Sequence, residues 1–288
     1  MTRVVGHTRG LSSPLLSLSG AGQTCGASRG VVSYAGSGFV RRLVVPRHVP
    51  GSPNTGDISG ICTVLNADGS GKLITCEDDT GGIIVVYDIQ NWDDFADPAN
   101  TVLSSAPLSR GGYVQASHDG RHLALFGSQD IKIYQLSAPW DLTTAALVYD
   151  LDVQFGCVAP DGSFALEVET VGFDPYVTTL SKWNASSPWD FSGFDHASPD
   201  ETLHVPELWN NGGNGLFMPT QDLVSLGNRT ASGLNYGSAT CRFSSPGDLA
   251  TVEFLGVQPL PYSDGQIAFA PGRLLNTADH RDYLYELI

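Results

Sequence analysis

The segment IYQLSAPWDLTTA, residues 133–145, decides the fold because its pattern recurs along the chain. The segment YVTTLSKWNASSPWDF, residues 176–191, again places Pro-Trp-Asp a few residues after a β-like run, and IIVVYDIQNWDDF, residues 83–95, is a looser copy. The three tryptophans that follow these runs are separated by 48 and 49 residues. A period of this length with strand-like contents indicates repeated β-sheet blades.

A second marker, the Asp-Gly pair, recurs in phase with the first. It lies between two apolar runs in each of three places, namely Asp68-Gly69, Asp119-Gly120 and Asp161-Gly162. Aspartate offers a side-chain acceptor and glycine accepts positive φ, so the pair suits a tight hairpin turn. Each repeat therefore reads as strand, Asp-Gly turn, strand, turn, strand and Trp-Asp loop.

The repeat extends outward to six strand-rich units. These units lie near residues 11–46, 57–90, 101–137, 146–183, 203–243 and 250–288. Dividing the 288 residues by six gives 48, which matches the spacing of the tryptophans. We therefore predict an all-β fold, a β-propeller of six blades of about 48 residues, with five or seven blades as alternatives. The terminal run DYLYELI alternates like a strand that completes a blade begun at the other end of the chain.

Composition agrees with a β-rich protein that has no membrane-spanning segment. Hydrophobic residues make up 41% of the chain, but no run of about 20 apolar residues occurs. The 33 glycines and 17 prolines suit short strands joined by turns. The five cysteines form an odd set without Cys-x-x-Cys spacing, which predicts buried, reduced thiols.

Charge is distributed very unevenly along the chain. Residues 1–56 contain no lysine, aspartate or glutamate, and their six arginines are Arg3, Arg9, Arg29, Arg41, Arg42 and Arg47. Residues 57–288 contain nine basic and thirty acidic side chains. We divide the chain into a basic N-terminal segment, 1–50, which is a first blade or an anchoring arm, and an acidic propeller body, 51–288. Such a body repels nucleic acid and anionic membranes.

No motif predicts catalysis, a cofactor or a metal ion. The string AGSGF lacks the Gly-x-Ser-x-Gly pattern of one hydrolase class, and GSGFVR and GGNGLF lack phosphate-loop spacing. The candidate contact surface is instead the loop 184–201, NASSPWDFSGFDHASPDE. Aromatic rings beside carboxylates can stack on sugars or partner proteins, and the candidates are Trp189, Phe191, Phe194 and His196. For Trp189 the alternative is a recurring wedge against its own blade.

The segments 133–145 and 151–169 resemble the tandem "PWD" repeats of propeller-like proteins from tailed bacteriophages and environmental bacteria. The similarity extends over residues 83–191 and differs from the WD40 pattern. It implies a propeller-like repeat fold and a structural role in a virion or at a surface, and it implies no catalytic residue.

The sequence thus predicts a non-enzymatic structural protein of a tailed phage virion, at the tail, the baseplate or a fibre base. Its expected partners are other virion structural proteins, in several copies within a symmetric assembly, and a host-surface glycan. A capsid decoration protein is one alternative. The other is a bacterial carbohydrate-binding or glycan-cleaving propeller in the cytoplasm or at the cell surface.

Overall fold

The computed structural model describes residues 42–44, 48–53, 58–77, 82–108, 112–126, 130–171, 177–206, 216–229, 236–258, 266–271, 273–277 and 284–287. In these residues the chain forms twenty β-strands, and two single 3-10 turns, Leu142–Thr144 and Leu249–Thr251, each precede an outer strand. No helix in this part of the chain is long and apolar enough to cross a membrane.

The strands form five antiparallel sheets of four strands each. The first strand, β1 (Arg42–Val44), belongs to the last sheet. The first blade contains β2 (Ile58–Leu65), β3 (Gly71–Glu77), β4 (Ile83–Ile89) and β5 (Thr101–Pro107). The second contains β6 (Tyr113–Ala116), β7 (His122–Phe126), β8 (Ile131–Leu136) and β9 (Ala145–Leu151).

The third blade contains β10 (Cys157–Val158), β11 (Phe164–Val171), β12 (Val177–Asn184) and β13 (Glu201–Pro206). The fourth contains β14 (Leu216–Thr220), β15 (Leu223–Arg229), β16 (Tyr236–Phe243) and β17 (Val252–Gln258). The fifth sheet contains β18 (Ile267–Ala270), β19 (Arg273–Thr277), β20 (Leu284–Leu287) and β1. Four blades are therefore continuous in sequence, and the fifth is completed from the N-terminal side.

The all-β propeller architecture is confirmed, whereas the sixth blade is not. The predicted first unit, 11–46, contributes β1 as the outer strand of the fifth sheet, paired antiparallel with β20. The remainder of that unit lies outside the described residues. The ring closes between the fifth and first blades, because Ala268 and Leu275 share one apolar core with Ile58, Leu73 and Val49.

The predicted units are displaced from the blades by one strand. Each predicted unit ended at its Trp-Asp loop, but a fourth, outer strand follows that loop and pairs with the strand before it. β5 was thus assigned to the third predicted unit, 101–137, although it belongs to the first blade. The inner strands are apolar on both faces, as expected of sheets covered on both sides. The outer strands are partly exposed and carry no marker that separates them from the next blade.

The Asp-Gly prediction is confirmed in the first three blades. Gly69, Gly120 and Gly162 have φ values of +90°, +69° and +74°, and each lies in the turn between the inner strand and the second strand. Positive φ is readily adopted by glycine but is strained for other residues. The turn therefore fixes the hairpin register of each blade.

Four of the five cysteines are buried, free thiols in the structure, namely Cys62, Cys76, Cys157 and Cys241. Burial raises the pKa of Cys62 and of Cys241 to about 12. These thiols are therefore protonated at neutral pH and act as small apolar core residues. Cys25 lies outside the described residues.

The inner strands approach closely around Gln266, which precedes β18. Its buried side chain accepts hydrogen bonds from the backbone N–H of Ile61 at 2.8 Å and of Val114 at 3.1 Å, and it donates to the Val114 carbonyl at 2.7 Å. One amide thus joins the fifth, first and second blades. Gly60 allows this proximity, because a Cβ there would lie 2.8 Å from the Gly112 carbonyl oxygen.

We expect Gln266→Ala to lower the free energy of unfolding by about 3 kcal/mol or more, since each buried polar group left unpaired costs about 1–3 kcal/mol. Gln135→Ala, at an exposed position of β8, is the matched control and should change stability by less than about 0.5 kcal/mol. Chemical denaturation of the two variants measures the difference. Equal midpoints would show that Gln266 does not hold the blades together.

Candidate functional site

The loop that was predicted to make contacts, 184–201, connects β12 to the outer strand β13 of the third blade. It is equivalent to the connections 90–100 and 137–144 of the first two blades. We call these connections the Trp-Asp loops. They lie at the same end of the ring as the Asp-Gly turns, which we call the turn end. The opposite end, where each outer strand leads to the next inner strand, is the connection end.

Each Trp-Asp loop is bonded to the Asp-Gly turn of its own blade. The backbone N–H groups of Trp140 and Trp189 donate to the carbonyls of Gly120 and Gly162, both at 2.9 Å. The indoles cover these glycines so closely that a Cβ would lie 2.2 Å from the Trp140 ring and 2.3 Å from the Trp189 ring. The two repeated sequence motifs therefore form one structural unit, in which glycine supplies both positive φ and space for an indole.

The first blade uses a variant of this contact. The Trp92 indole N–H donates to the Gly69 carbonyl at 3.0 Å, and the ring packs edge-to-face on Phe95 with ring centroids 6.3 Å apart. A Cβ at Gly69 would make only an ordinary van der Waals contact, with Cγ of Pro271 at 3.9 Å. The turn of the first blade therefore does not need glycine to accommodate a ring.

Trp189 and Phe191, two of the four candidate contact residues, are buried. Trp189 is 5% exposed and Phe191 is 3% exposed. The indole stacks on the His122 imidazole of the second blade, with ring centroids 5.4 Å apart and planes 6° apart. Phe191 meets the Tyr149 ring edge-to-face at 6.4 Å. Both side chains thus pack the third blade against the second.

Phe194 and His196, the other two candidates, lie together at the surface around Trp183. The His196 imidazole stacks on the Trp183 indole at 5.6 Å, and the Phe194 ring contacts the same indole at 5.4 Å. The His196 side chain is 48% exposed, and its Nε2 lies 3.0 Å from Oε2 of Glu167. The Trp183 indole N–H donates to the Asp195 carbonyl at 2.9 Å.

Glu167 is the residue of this cluster that sequence reasoning missed. Its side chain is 9% exposed, and its second oxygen, Oε1, accepts the Gln154 backbone N–H at 2.7 Å. The sequence feature that could have identified it is a glutamate within the otherwise apolar run FALEV. A carboxylate buried in such a strand requires hydrogen-bond donors from other parts of the chain. Glu167 therefore joins the Trp-Asp loop to the chain segment at the connection end between the second and third blades.

A further copy of the loop occurs at residues 244–251, SSPGDLAT, in the fourth blade, outside the range 83–191 over which the sequence resembles the repeat. Gly247 occupies the tryptophan position with φ of +76°, close to the +63° of Trp140. Asp248 caps the following 3-10 turn through the Ala250 N–H, as Asp141 does through the Thr143 N–H. The loop geometry is thus retained after the indole is lost.

The Trp-Asp loops also bind the outer strand of the preceding blade. Ser104 on β5 donates from Oγ to the Trp140 carbonyl at 2.6 Å and accepts from the Leu142 N–H at 3.2 Å. Tyr149 on β9 donates from its hydroxyl to the Asp190 carboxylate at 2.8 Å. Different side chains therefore make the same joint between successive blades.

The joint between the third and fourth blades is ionic. Lys182 is buried, and its ammonium group lies 2.5 Å from Oε1 of Glu201, bonds the Gly247 carbonyl and lies 5.5 Å from the centre of the Phe164 ring. Glu201 also accepts the Leu249 N–H at 3.1 Å. The hydrogen bond from Lys182 lowers the pKa of Glu201. This blade interface therefore contains a buried charge pair, whereas the outer strands contribute the neutral hydroxyls of Ser104 and Tyr149 at the other two joints.

The anchoring candidates mostly lie outside the described residues. This applies to Arg3, Arg9, Arg29, Arg41 and Arg47, whereas the backbone of Arg42 begins β1. In the described part of the chain, no three His, Cys, Asp or Glu side chains converge closely enough to hold a metal ion.

Substituting Gly120 by Ala should destabilise the protein more than substituting Gly69 by Ala. Both positions have positive φ, which costs about 1 kcal/mol for alanine, but only Gly120→Ala displaces an indole, and we expect a total loss of about 3 kcal/mol or more. Thermal and urea unfolding measure the loss of stability in each variant, and the difference between the two losses is the cost of displacing the Trp140 ring. Equal losses would mean that the indole moves aside at no cost.

The His122–Trp189 contact predicts a pH dependence. Burial lowers the pKa of His122, Asp119 opposes this shift and Arg121 adds to it, and Nδ1 is buried without a hydrogen-bond partner among the described residues. The unfolded chain therefore takes up this proton first as the pH falls. Neutral His122 contributes fully to the free energy of unfolding above about pH 6.5, the pKa of histidine in the unfolded chain. This contribution is lost as the pH falls from that value towards the lower pKa of His122 in the folded protein.

We expect His122→Gln to reduce the fall in melting temperature between about pH 7.5 and about pH 5.5. His118→Gln, at an exposed position of the same turn, is the control and should retain the wild-type slope. Calorimetry across this range provides the measurement. A parallel decline in all three proteins would assign the pH dependence to other groups.

No protein-family model matches the chain, and no curated protein is significantly similar to it in sequence. Among solved structures, hydrazine synthase of Kuenenia stuttgartiensis aligns over 80% of this chain and 74% of its own, at 11% identity and a TM-score of 0.38. The iodide structure of the Trichoderma reesei carbohydrate-active enzyme family AA12 aligns over 98% of this chain and 100% of its own, at 10% identity and a TM-score of 0.40. The β-propeller domain of the trilobed protease from Pyrococcus furiosus aligns over 79% of this chain and 65% of its own, at 12% identity and a TM-score of 0.31. These similarities concern the fold and carry no functional information.

Proposed function

We propose that this chain is a non-enzymatic structural protein of a tailed phage virion, at the tail, the baseplate or a fibre base. It presents loops of a rigid propeller to other virion proteins and to the host surface. The proposal rests on the resemblance of residues 83–191 to phage-associated repeats. It also rests on the packing of aromatic side chains of the Trp-Asp loops between successive blades. A capsid decoration protein would use the same construction.

The observation that carries the proposal is the joint between successive blades. Trp189, His122 and Tyr149, side chains of the kinds found in binding sites, pack and bond one blade to the next. Rings of mutually locked blades deform little, and a rigid scaffold loses little conformational entropy when it binds a partner. Such a scaffold suits repeated, identical contacts in a particle.

Among the described residues, four large apolar side chains are exposed and available for such contacts. These are Leu103, Leu147, Val148 and Phe155. Leu103 and Val148 occupy the same position in β5 and β9, at a shift of register against the neighbouring strand. A bulge at this place blunts the outer edge against strand pairing. The edges of the first two blades therefore favour side-chain contacts over the addition of another strand.

A bacterial carbohydrate-binding propeller is the second candidate, and one observation favours it. The partly buried Phe194 and the exposed His196 lie against the buried Trp183, and Glu167 bonds the imidazole. Aromatic faces beside polar groups suit the stacking of sugar rings. Here, however, the imidazole covers one face of the indole, so a sugar has to displace His196 or stack on Phe194.

Immunogold electron microscopy of particles from the producing culture, with an antibody to this chain, tests the proposal. We expect label at the tail end, whereas label over the head would identify the decoration variant. Particles without label would overturn the virion assignment. A glycan array with the wild-type chain and Phe194→Ala then tests the second candidate, and Leu103→Ala, at an exposed site on another blade, is the matched control.

A further inference from the structure

The loop between β9 and β10, residues 152–156, presents an aromatic side chain in a strained conformation. Phe155 has φ of +50° and is 39% exposed. A non-glycine residue in this region costs about 1–3 kcal/mol, and such residues cluster at functional sites. The loop lies at the connection end of the ring, between the second and third blades.

Buried groups on both sides of Phe155 hold this conformation. Val153 is fully buried, and Gly156 is packed so closely that a Cβ there would lie 2.3 Å from Cγ1 of Val153 and 2.5 Å from the Leu166 carbonyl oxygen. The Gln154 N–H is bonded to the buried Glu167 carboxylate at 2.7 Å. The backbone on both sides of Phe155 is therefore fixed by the core, while the Phe155 side chain stays exposed.

Two exposed carboxylates, those of Asp150 and Asp152, lie within five residues of Phe155 in the chain. Asp152 is exposed in the same loop, and the Asp150 side chain on β9 is 53% exposed, with the Lys132 ammonium group 3.8 Å away. Lys132 is itself bonded to Asp130. An exposed aromatic ring beside carboxylates suits a guanidinium group, which stacks on the ring and donates paired hydrogen bonds to a carboxylate.

We propose that Phe155, Asp150 and Asp152 form an arginine-binding site for the N-terminal segment of a second copy of this chain. That segment, residues 1–41, contains Arg3, Arg9, Arg29 and Arg41 and no lysine or acidic residue, so its charge complements the site. The inference rests on the proposed function in one respect, because a symmetric assembly of several copies is what such a contact would build.

The topology places the start of β1 and the Phe155 loop at opposite ends of the ring. β1 is the outer strand of the fifth blade, so its first residue, Arg42, lies at the turn end, and the chain enters the fold there. The Phe155 loop lies at the connection end and across the ring from the fifth blade. A contact between one copy's turn end and the next copy's connection end is head-to-tail, and this geometry generates rings or filaments.

Sedimentation velocity on the full-length chain tests the proposal through a complementing pair of variants. The wild type should associate with rising concentration, and raising the salt to about 0.5 M should suppress association because charges are screened. Phe155→Ala should weaken association about tenfold or more, the scale of a desolvated cation–π contact. The same loss is expected when Arg3, Arg9, Arg29 and Arg41 are all changed to Gln. Gln135→Ala, at an exposed position of β8 that the proposed contacts do not include, is the control and should associate like wild type.

Mixing the two impaired variants gives the decisive measurement. The Phe155→Ala chain keeps its arginines and the arginine-to-glutamine chain keeps its site, so the mixture should form a 1:1 dimer that grows no further. A monomeric wild type, an unaffected Phe155→Ala variant or a mixture that stays monomeric would overturn the inference. Unlabelled particles in the immunogold experiment, with this association intact, would instead overturn the virion assignment alone.

Discussion

The hydrogen bonds between each Trp-Asp loop and the outer strand of the preceding blade are the contacts on which the rest of the structure depends. A four-stranded sheet that packs on its neighbours through apolar side chains alone could slide, since the hydrophobic effect has no direction. The bonds from Ser104, Tyr149 and Glu201 prevent this because each fixes a loop to one residue of the previous blade. In the second and third blades the loop is in turn fixed to its own Asp-Gly turn, so register is transmitted from the first blade to the fourth.

The three joints have different chemistry, and the cost of each follows from its burial. A serine hydroxyl and a tyrosine hydroxyl are neutral and partly exposed, so their desolvation is cheap. The joint formed by Lys182 and Glu201 buries an ammonium group, which is tolerated only because a carboxylate, the Gly247 carbonyl and the Phe164 ring surround it. That interface is the most sensitive of the three to loss of one partner, since the charge that remains would be buried alone.

Sequence predicted the elements that glycine and tryptophan mark, and it missed those that pairing partners determine. The Asp-Gly turns follow from the local conformation that glycine allows, and the wedge role of Trp189 follows from a tryptophan that recurs at a fixed spacing. Both features can be read from the sequence alone. Blade boundaries were displaced because the outer strand is partly exposed and carries no turn signal of its own. The Glu167–His196 pair escaped prediction because residues 29 positions apart meet only through the fold. In the fourth blade, Gly247 concealed the repeat, since the pattern was defined by the side chain that it lacks.

The acidity of the body is linked to the turns without being required by them. In the turns and Trp-Asp loops, aspartates such as Asp68, Asp141 and Asp161 accept the backbone N–H two residues further on. Asparagine would satisfy the same N–H without a charge, so the fold does not explain why this chain has aspartate at each place. Hydrogen bonds from Ser70 and Ser192 also lower the pKa values of Asp68 and Asp190 and keep them ionised in mild acid. Repetition of the turn thus gives the ring a long-range negative field, whereas the first 56 residues carry six arginines and no acid. Such a division of charge within one chain favours oriented association between copies over uniform repulsion.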